Sequence, residues 1–422
     1  MIYVHVPFCR SFCTYCDFYS EVAVRCRKAE EAQKQEALFE DFAQALACEV
    51  HSRAGEITDD VNTLYIGGGT PSVLPLSAFQ TLLDALRSVG HGGPFDEFTV
   101  EVNPEDIVEK GVSYVEGLLA LGVNRISMGV QSFDDSILKF MNRRHDAATA
   151  RKAYAILEEA GVKNISIDLI FGLPQLSSSQ WAQTLKQALS ISSHGVLPQH
   201  ISSYQLSVEP GSMLARLVEK GSWAEASDEL CQEQYSALCS ALSAAGYHHY
   251  EISNFAQPGF EAVHNSAYWR HVPYVGLGPG AHSFLAPGAI SEAAPSEVCR
   301  RWNEPALEAY IEAGRTVPSL LADSFQDPFI NAEDAFSAVS DGEVLDHDQL
   351  VLERLMLGLR TSAGLPESFL RMHCDQESLS NALAAGHLVP VSPAQSAGYQ
   401  EVYLRIPESH FFISDSIIAD LA

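Results

Sequence analysis

Basic residues are scarce in this sequence: 26 lysines and arginines stand against 54 aspartates and glutamates, for a formal net charge of -28. A surface this acidic repels phosphate backbones and anionic lipid head groups. We therefore do not expect nucleic acid as a partner. A neutral or metal-bearing ligand in a pocket is compatible with the same charge.

Long hydrophobic runs and evenly spaced cysteines are missing as well. No run of about 18 apolar residues occurs, so we expect no membrane-spanning helix. The N-terminus lacks a basic stretch followed by an apolar one, so we expect no secretory leader. The nine cysteines are odd in number and unevenly spread, which argues against a disulfide framework and for a reducing compartment. We expect a cytoplasmic protein.

Strand-like and helical segments alternate over the first half of the chain. With 422 residues, 46% of them hydrophobic, the chain is long enough for two or three domains. Strand–helix alternation predicts parallel strands joined by helical crossovers. We expect an α/β fold, a partial (β/α)6 barrel with its site at the carboxyl ends of the strands; a doubly wound open sheet is the alternative. The six predicted strands are residues 2–7, 63–66, 97–102, 123–128, 164–170 and 200–206.

The composition changes near residue 246, which predicts three regions. Residues 1–245 form the barrel. Residues 246–297 are rich in aromatics and histidine, and we expect irregular structure over 250–284, followed by an Ala/Pro/Ser-rich linker at 286–297. Residues 298–422 contain helical patterns followed by two β-like runs, which predicts a smaller, winged-helix-like α+β domain.

Three cysteines crowd together just after the first predicted strand: Cys9, Cys13 and Cys16, spaced CxxxCxxC. Three thiolates on one loop can bind three irons of a 4Fe-4S cubane and leave the fourth iron without a protein ligand. Such an open iron lets a cluster bind a substrate and pass it an electron. The alternatives are three buried thiols or a zinc site completed by His5 or Asp17, although structural zinc favours paired CxxC knuckles.

Small and charged residues stand where the later strands end. Glycines let a backbone approach a ligand closely, a carboxylate suits ribose hydroxyls, and an arginine suits a ligand carboxylate. Each residue alone could be a cap or a surface charge. Together they occupy the ends of successive strands, where one ligand would sit. The residues are Gly67, Gly68, Gly69, Thr70, Glu101, Gln131, Arg143 and Asp168.

The cysteine spacing, followed by these strand ends, resembles the radical S-adenosylmethionine (SAM) superfamily. The resemblance implies that SAM chelates the open iron and is cleaved to a 5′-deoxyadenosyl radical. Two further segments resemble, within that superfamily, the coproporphyrinogen III dehydrogenase-like (HemN-like) family. They are YVHVPFC, which starts at Tyr3, and GLGPGAHS, which starts at Gly276. By that resemblance the glycine turn and Thr70 bind the amino group of SAM. The resemblance assigns further SAM contacts to Tyr3, Gly67, Glu101, Gln131, Arg143 and Asp168.

Two features resemble the haem chaperone branch of that family, called HemW. Phe18 stands where the dehydrogenase has a fourth cysteine, and residues 264–269 read HNSAYW, which matches the HNxxYW motif of the branch. A neutral imidazole is a natural axial ligand of haem iron. We therefore expect His264 to anchor haem, with His271 and His282 as rivals; a buried, hydrogen-bonded histidine is the alternative.

The resemblance thus implies a haem chaperone that hands haem to acceptor haemoproteins, membrane respiratory proteins among them. The cluster and SAM would regulate the transfer or support a homodimer. A radical SAM oxidoreductase acting on a porphyrin, such as an oxygen-independent coproporphyrinogen III oxidase, is the second interpretation, so the resemblance does not decide whether the chain is an enzyme. A nucleic-acid-binding regulator conflicts with the negative charge.

Overall fold

The secondary structure alternates between strands and helices over most of the chain. The structure is a computed structural model that describes residues 1–22, 29–58, 61–285, 298–322, 336–391 and 401–422. The strands are β1 (Ile2–Val6), β2 (Phe8–Cys9), β3 (Glu21–Val22), β4 (Thr63–Gly68), β5 (Glu97–Val102), β6 (Arg125–Gln131), β7 (Ile165–Phe171), β8 (His200–Gln205), β9 (His248–Glu251), β10 (Asn254–Ala256), β11 (Val275–Leu277), β12 (His282–Leu285), β13 (Val298–Asn303), β14 (Ser340–Leu345), β15 (Leu365–Pro366), β16 (Val389–Val391) and β17 (Tyr403–Arg405). The helices are α1 (Ala29–Ser52), α2 (Leu76–Ser88), α3 (Pro104–Ala120), α4 (Asp135–Phe140), α5 (Ala147–Glu159), α6 (Ser178–Ala188), α7 (Met213–Glu219), α8 (Asp228–Ala244), α9 (Val263–Trp269), α10 (Leu307–Ala322), α11 (His347–Gly358), α12 (Glu367–His373), α13 (Gln376–Ala384) and α14 (Ser414–Leu421).

The main sheet has the strand order β11-β1-β4-β5-β6-β7-β8-β10-β9. Within this sheet β1, β4, β5, β6, β7 and β8 lie side by side in chain order, and all of these pairs are parallel. Strands β2 and β3 form a separate pair. A doubly wound sheet would reverse its order at a switch point, and this sheet does not. The predicted partial (β/α)6 barrel is therefore confirmed.

Alternate side chains of these strands face opposite environments. On β4, Leu64 and Ile66 are 0% and 1% exposed and join the apolar core with helix residues such as Phe42. Burial of each such side chain contributes about 1.5–3 kcal/mol. Thr63 and Tyr65, at the alternate positions, bond to polar side chains inside the barrel. Because the period of a strand is two residues, one register serves both the core and a polar interior.

The segment that follows the six parallel units is more regular than predicted. Irregular structure was expected over residues 250–284, but β11 pairs in parallel with β1 and β10 pairs antiparallel with β8, so the segment extends the sheet at both edges. That expectation was wrong because strands of three or four residues in a Gly- and His-rich sequence give almost no periodicity. The linker predicted at 286–297 lies outside the described residues, and the three domain boundaries remain predictions.

A buried ionic network ties α1 to this later segment. Arg53 donates to the carboxylate of Glu49 at 3.0 Å and to the carbonyl of Gly276 at 2.6 Å. Glu49 also accepts from the backbone N–H of Gly278 at 2.8 Å and from the hydroxyl of Tyr310 at 2.6 Å. Buried charges are tolerated when they are paired and hydrogen-bonded in this way. The network fixes β11 and α10 against the barrel.

The C-terminal part has the element order α11, β15, α12, α13, β16, β17, α14. The three strands form an antiparallel sheet in the order β15-β17-β16. A helix, a short strand, two helices and a two-stranded wing are the predicted winged-helix-like arrangement, so the α+β character of the smaller domain is confirmed. Among the helices of the described ranges, none is long and apolar enough to cross a membrane.

Candidate functional site

A cavity of about 430 Å³ lies at the carboxyl ends of the parallel strands. This is the end of a parallel barrel at which ligand sites form. The cavity brings together most of the residues predicted from the sequence. Those on its wall are Cys9, Cys13, Cys16, Gly68, Gly69, Thr70, Glu101, Gln131, Arg143 and Asp168. Tyr3, Gly67 and His264 were also predicted, and they do not line it.

The cysteine loop, residues 9–16, is held by the chain segment that follows α4. The backbone N–H of Thr14 donates to the carbonyl of Met141 at 3.2 Å. The side-chain amide of Asn142 donates to the carbonyl of Phe12 at 2.6 Å. These bonds satisfy backbone groups that a loop without regular structure would otherwise leave to water. The loop is therefore fixed over the mouth of the barrel.

The three thiols of this loop are the donor set of a 4Fe-4S cubane with one open iron, in which each thiolate binds a different iron. No three side chains of the described residues converge on a single metal ion, which such a cubane does not require. All three are free and partly exposed on the cavity wall. Burial, together with the nearby Cys13 and Cys9 thiols, raises the pKa of Cys16 to about 12. Burial likewise raises the pKa of Cys9. Thiolates gathered in this way need a cation to compensate them, and iron coordination supplies that charge.

The glycine turn after β4 packs backbone to backbone against the cysteine loop. The N–H of Gly69 donates to the carbonyl of Val6 at 2.8 Å. A side chain at position 69 would put its Cβ 2.7 Å from the carbonyl oxygen of Phe8, so only glycine fits there. The next residue, Thr70, has its hydroxyl 3.4 Å from the sulfur of Cys9. The glycine turn, which is the predicted SAM motif, is therefore in direct contact with the chain at the first cysteine.

Arg143 is one of the arginines that line the cavity, and it lies beside the cysteines. Its guanidinium donates to Oδ1 of Asn103 at 2.6 Å, to the carbonyl of Gly129 at 2.8 Å and to the sulfur of Cys13 at 3.5 Å. Its Nε is buried and has no hydrogen-bond partner among the described residues. Because buried polar atoms are normally paired, this N–H is available to a ligand. A ligand carboxylate suits the planar fork of donors.

Two carboxylates stand inside the barrel beneath the cysteines. Glu101 accepts from the hydroxyl of Tyr65 at 2.7 Å, and burial, together with the charge of Asp168, raises the pKa of Glu101 to about 7. Asp168 accepts from the hydroxyl of Ser127 at 3.2 Å, and burial raises its pKa to about 6. A Cβ at Gly67 would lie 2.9 Å from Glu101 Oε1. Gly67 therefore leaves room for the Tyr65–Glu101 bond instead of lining the cavity.

Tyr3 and Gln131 occupy different depths of the site. The hydroxyl of Tyr3 lies 3.1 Å from Nδ1 of His5, behind the cavity wall. Gln131 ends β6 with a φ of 65°, in the left-handed region that non-glycine residues rarely adopt. Its side-chain Nε2 would be only 2.8 Å from a Cβ at Gly129. The tight turn therefore keeps Gln131 on the cavity wall, whereas Tyr3 acts at most through His5.

Several cavity residues were not among the predicted site residues. They are Tyr65, Asn103, Arg125, Ser127, Ser202, Tyr204 and Asn265. Most lie at inward-facing positions of the strands, so the alternation of polar residues along β6 and β8 was the available signal. Arg125 is only 2% exposed, and alternation could not reveal that a buried cation lies on the cavity floor.

His264 is fully buried in the barrel interior, next to Tyr65 of the cavity wall. Its Nδ1 lies 2.8 Å from the hydroxyl of Thr63 and its Nε2 lies 3.0 Å from the hydroxyl of Tyr268. Its ring also stacks on Tyr65 with the centroids 5.1 Å apart. Burial lowers the pKa of His264 to about 3. In this conformation the ring is neutral and both of its nitrogens are hydrogen-bonded. His264 is therefore the buried, hydrogen-bonded histidine that the sequence left open as an alternative. It could bind haem iron through Nε2 only if its contact with Tyr268 were lost.

The geometry agrees with comparisons with known proteins. The family model described as Radical SAM superfamily matches residues 3–188. That range begins in β1 and contains the cysteine loop, the glycine turn, Arg143 and both carboxylates. Fold and site together define a radical SAM protein, with a 4Fe-4S cluster and SAM as its cofactors.

Relatives with similar sequences narrow the assignment. "Heme chaperone HemW" of Synechocystis sp. is 31% identical over 363 residues, which cover 86% of this chain and 78% of that protein. The protein of the same name from Mycobacterium tuberculosis is 32% identical over 390 residues, which cover 92% of this chain and 88% of that protein. The chain belongs to the HemW family.

A solved structure supports the fold. Coproporphyrinogen III oxidase (HemN) from Escherichia coli, a radical SAM enzyme, aligns with a TM-score of 0.73 over 99% of this chain and 89% of that one. The sequence identity is 20%. The likeness therefore establishes the architecture, including the smaller C-terminal domain, and no shared activity.

Proposed function

We propose that this chain is a haem chaperone, which binds haem and transfers it to acceptor haemoproteins. The observation that carries the proposal is the similarity at 31–32% identity, over 86–92% of the chain, to proteins named heme chaperone HemW. The same proposal is supported by Phe18, which stands at the position where the dehydrogenase has its fourth cysteine.

Within this function, the cavity residues hold the cofactors. Cys9, Cys13 and Cys16 bind three irons of the cluster, which supplies an electron to SAM when both are bound. Arg143 meets the carboxylate of SAM through its free Nε, and Glu101 and Asp168 accept hydrogen bonds from ribose hydroxyls. The remaining polar contacts to SAM come from Gly68, Gly69, Thr70 and Gln131.

Haem is cargo, and its site lies outside this cavity. A space of about 430 Å³ that holds SAM beside a cluster has little room for a whole macrocycle. Its charged groups, Arg143, Glu101 and Asp168, are already assigned to SAM in this proposal, although apolar and aromatic side chains such as Phe12 and Ile170 also line the wall. The proteins that accept haem from this chain include membrane respiratory haemoproteins, and the transfer takes place in the cytoplasm. The cluster and SAM regulate the transfer or support a homodimer.

The second candidate is a radical SAM oxidoreductase that acts on a porphyrin. The cavity favours it, because the cysteines, Arg143 and both carboxylates line one space, as a protein that cleaves SAM would need. Anaerobic incubation of the reconstituted protein with coproporphyrinogen III, SAM and a reductant separates the two functions. Decarboxylated product would establish the enzyme; unchanged substrate, together with haem transfer, would support the chaperone.

The test of the chaperone begins with the anaerobically reconstituted protein and added haem. We expect a saturable change in the Soret absorption at about one haem per chain. The loaded protein, separated from free haem, is then mixed with an apo-haemoprotein whose Soret spectrum differs. Haem should move to the acceptor faster than it is lost to buffer. No saturable binding would remove the chaperone function and leave the radical SAM assignment intact.

A further inference from the structure

Three histidines of residues 264–282 differ in their access to a ligand. Both nitrogens of His264 are occupied by Thr63 and Tyr268. Nε2 of His271 lies 2.9 Å from the carboxylate of Glu353. His282 is exposed, and no hydrogen bond to its ring occurs within the described part of the chain. Of these three imidazoles, only that of His282 has no hydrogen bond to either ring nitrogen within the described part of the chain.

His282 and Trp302 together form an exposed aromatic surface, which we call the aromatic shelf. His282 is paired directly with Trp302 across β12 and β13, so both side chains point from the same face of that sheet. Their rings stack with centroids 5.9 Å apart and an angle of 28° between the planes. Trp302 is itself partly exposed. An imidazole beside an indole offers a metal ligand with an apolar ring next to it, whose edge can contact a macrocycle.

The shelf adjoins the cysteine loop region. A Cβ at Gly280 would lie 3.2 Å from the Cβ of Tyr19, so the turn before β12 touches the chain just after the cysteines. Phe18, next to Tyr19, is 62% exposed. The Phe18 ring itself lines the cavity beside the cysteines. The shelf and that cavity are therefore connected through the segment that contains Phe18 and Tyr19.

The charges around the shelf suit a neutral imidazole and orient the ligand. Partial burial and the positive charge of Arg300 lower the pKa of His282, so its lone pair is available at neutral pH. On the other side of Trp302, Asp341 is its cross-strand partner on β14. A carboxylate there repels other carboxylates. The propionates of a bound haem would therefore point away from β14.

We infer that His282 is the axial ligand of the haem carried by this chain, with Trp302 packed against the macrocycle. The inference rests on the proposed chaperone function and names its binding site. It assigns to the GLGPGAHS segment a role that the SAM cavity does not use. It also separates haem binding from His264, whose contacts hold the barrel interior together.

The experiment compares haem titrations of the full-length, anaerobically reconstituted wild type with those of His282→Gly, His271→Ala and Trp302→Leu. We expect His282→Gly to bind haem at least tenfold more weakly and to lose the histidine-ligated spectrum, and added imidazole to restore that spectrum. Trp302→Leu should weaken binding and keep the ligation spectrum. His271→Ala is the matched control and should bind like wild type. Circular dichroism checks the fold of each variant.

The outcomes distinguish a failure of the His282 site from a failure of the chaperone function on which it rests. A wild type that does not bind haem would overturn both. A wild type that binds haem, with His282→Gly unchanged in affinity and spectrum, would overturn the His282 site and leave the chaperone function standing. A loss of ligation in His282→Gly that imidazole reverses supports the site, because a merely structural effect would not respond to a free ligand.

Discussion

Arg143 donates a 2.6 Å hydrogen bond to the side-chain oxygen of Asn103, and this bond completes a chain between two cluster cysteines. On one side Arg143 reaches the sulfur of Cys13 at 3.5 Å. On the other, the amide of Asn103 donates to Thr70 at 3.1 Å, and the Thr70 hydroxyl lies 3.4 Å from the sulfur of Cys9. The residues proposed to contact SAM therefore also position the cysteines, so cofactor affinity and cluster assembly should respond together.

Replacing Arg143 tests this coupling. Arg143→Ala removes the donor of three bonds and the proposed partner of the SAM carboxylate, and a charge-assisted hydrogen bond contributes about 1.5–3 kcal/mol. We expect SAM to bind roughly 10- to 100-fold more weakly, since about 1.4 kcal/mol corresponds to a factor of ten. Equilibrium dialysis of the reconstituted protein measures this affinity.

Arg143→Lys is the matched control for charge. Lysine keeps the positive charge but lacks the planar fork that contacts Asn103 and Gly129 together. We expect an intermediate affinity for SAM and a lower iron content than wild type. Wild-type SAM affinity in Arg143→Ala would contradict the assigned role of the guanidinium.

The cysteine assignment predicts a sharp difference between two groups of thiols. Alanine at Cys9, Cys13 or Cys16 should each abolish the iron–sulfur absorption and lower the iron content from about four per chain towards zero, because each cysteine binds a separate iron. Cys374→Ala is the control, since that thiol is buried in the C-terminal part. Normal iron content in any single variant of the loop would remove that cysteine from the ligand set.

The sequence predicted the positions of the strands and site residues better than the side-chain contacts between them. The strand predicted at 97–102 coincides with β5. The glycine turn and both carboxylates lie on or just after the predicted strands, as expected. Asn103 and Tyr65 were not chosen, because their contacts join residues about 30 to 40 positions apart and depend on the curvature of the sheet. Burial of His264 depended on α9 entering the barrel, and no local pattern specifies that packing.

The raised pKa of Glu101 predicts a pH-dependent cost to stability. Its pKa is about 7 in the fold because of burial, against 4.5 ordinarily. Between these values the folded chain holds a proton that the unfolded chain has lost, so the group's stabilising contribution falls as the pH rises from about 4.5 to about 7. Glu101→Gln should abolish this loss and gain about 2–3 kcal/mol relative to wild type between pH 5 and pH 8.

Urea unfolding of the cofactor-free protein at both pH values measures this difference. Glu159→Gln, at an exposed helical position, is the control and should follow wild type at both. The same Glu101→Gln variant should bind SAM more weakly at pH 8, because an amide is a poorer acceptor for ribose hydroxyls than a carboxylate. Equal stability differences at pH 5 and pH 8 would contradict the burial of an ionisable group at this position.

The two bonds of His264 predict a structural cost that must be separated from haem binding. His264→Ala leaves the hydroxyls of Thr63 and Tyr268 unpaired and opens a cavity under the ring of Tyr65. Together these effects should lower the free energy of unfolding by about 3–5 kcal/mol, whereas His282→Ala, at an exposed site, should cost less than about 1 kcal/mol. Urea unfolding of both variants checks the order. If His264→Ala were as stable as wild type, its contacts would not hold the barrel interior, and a loss of haem binding in that variant would then indicate direct ligation.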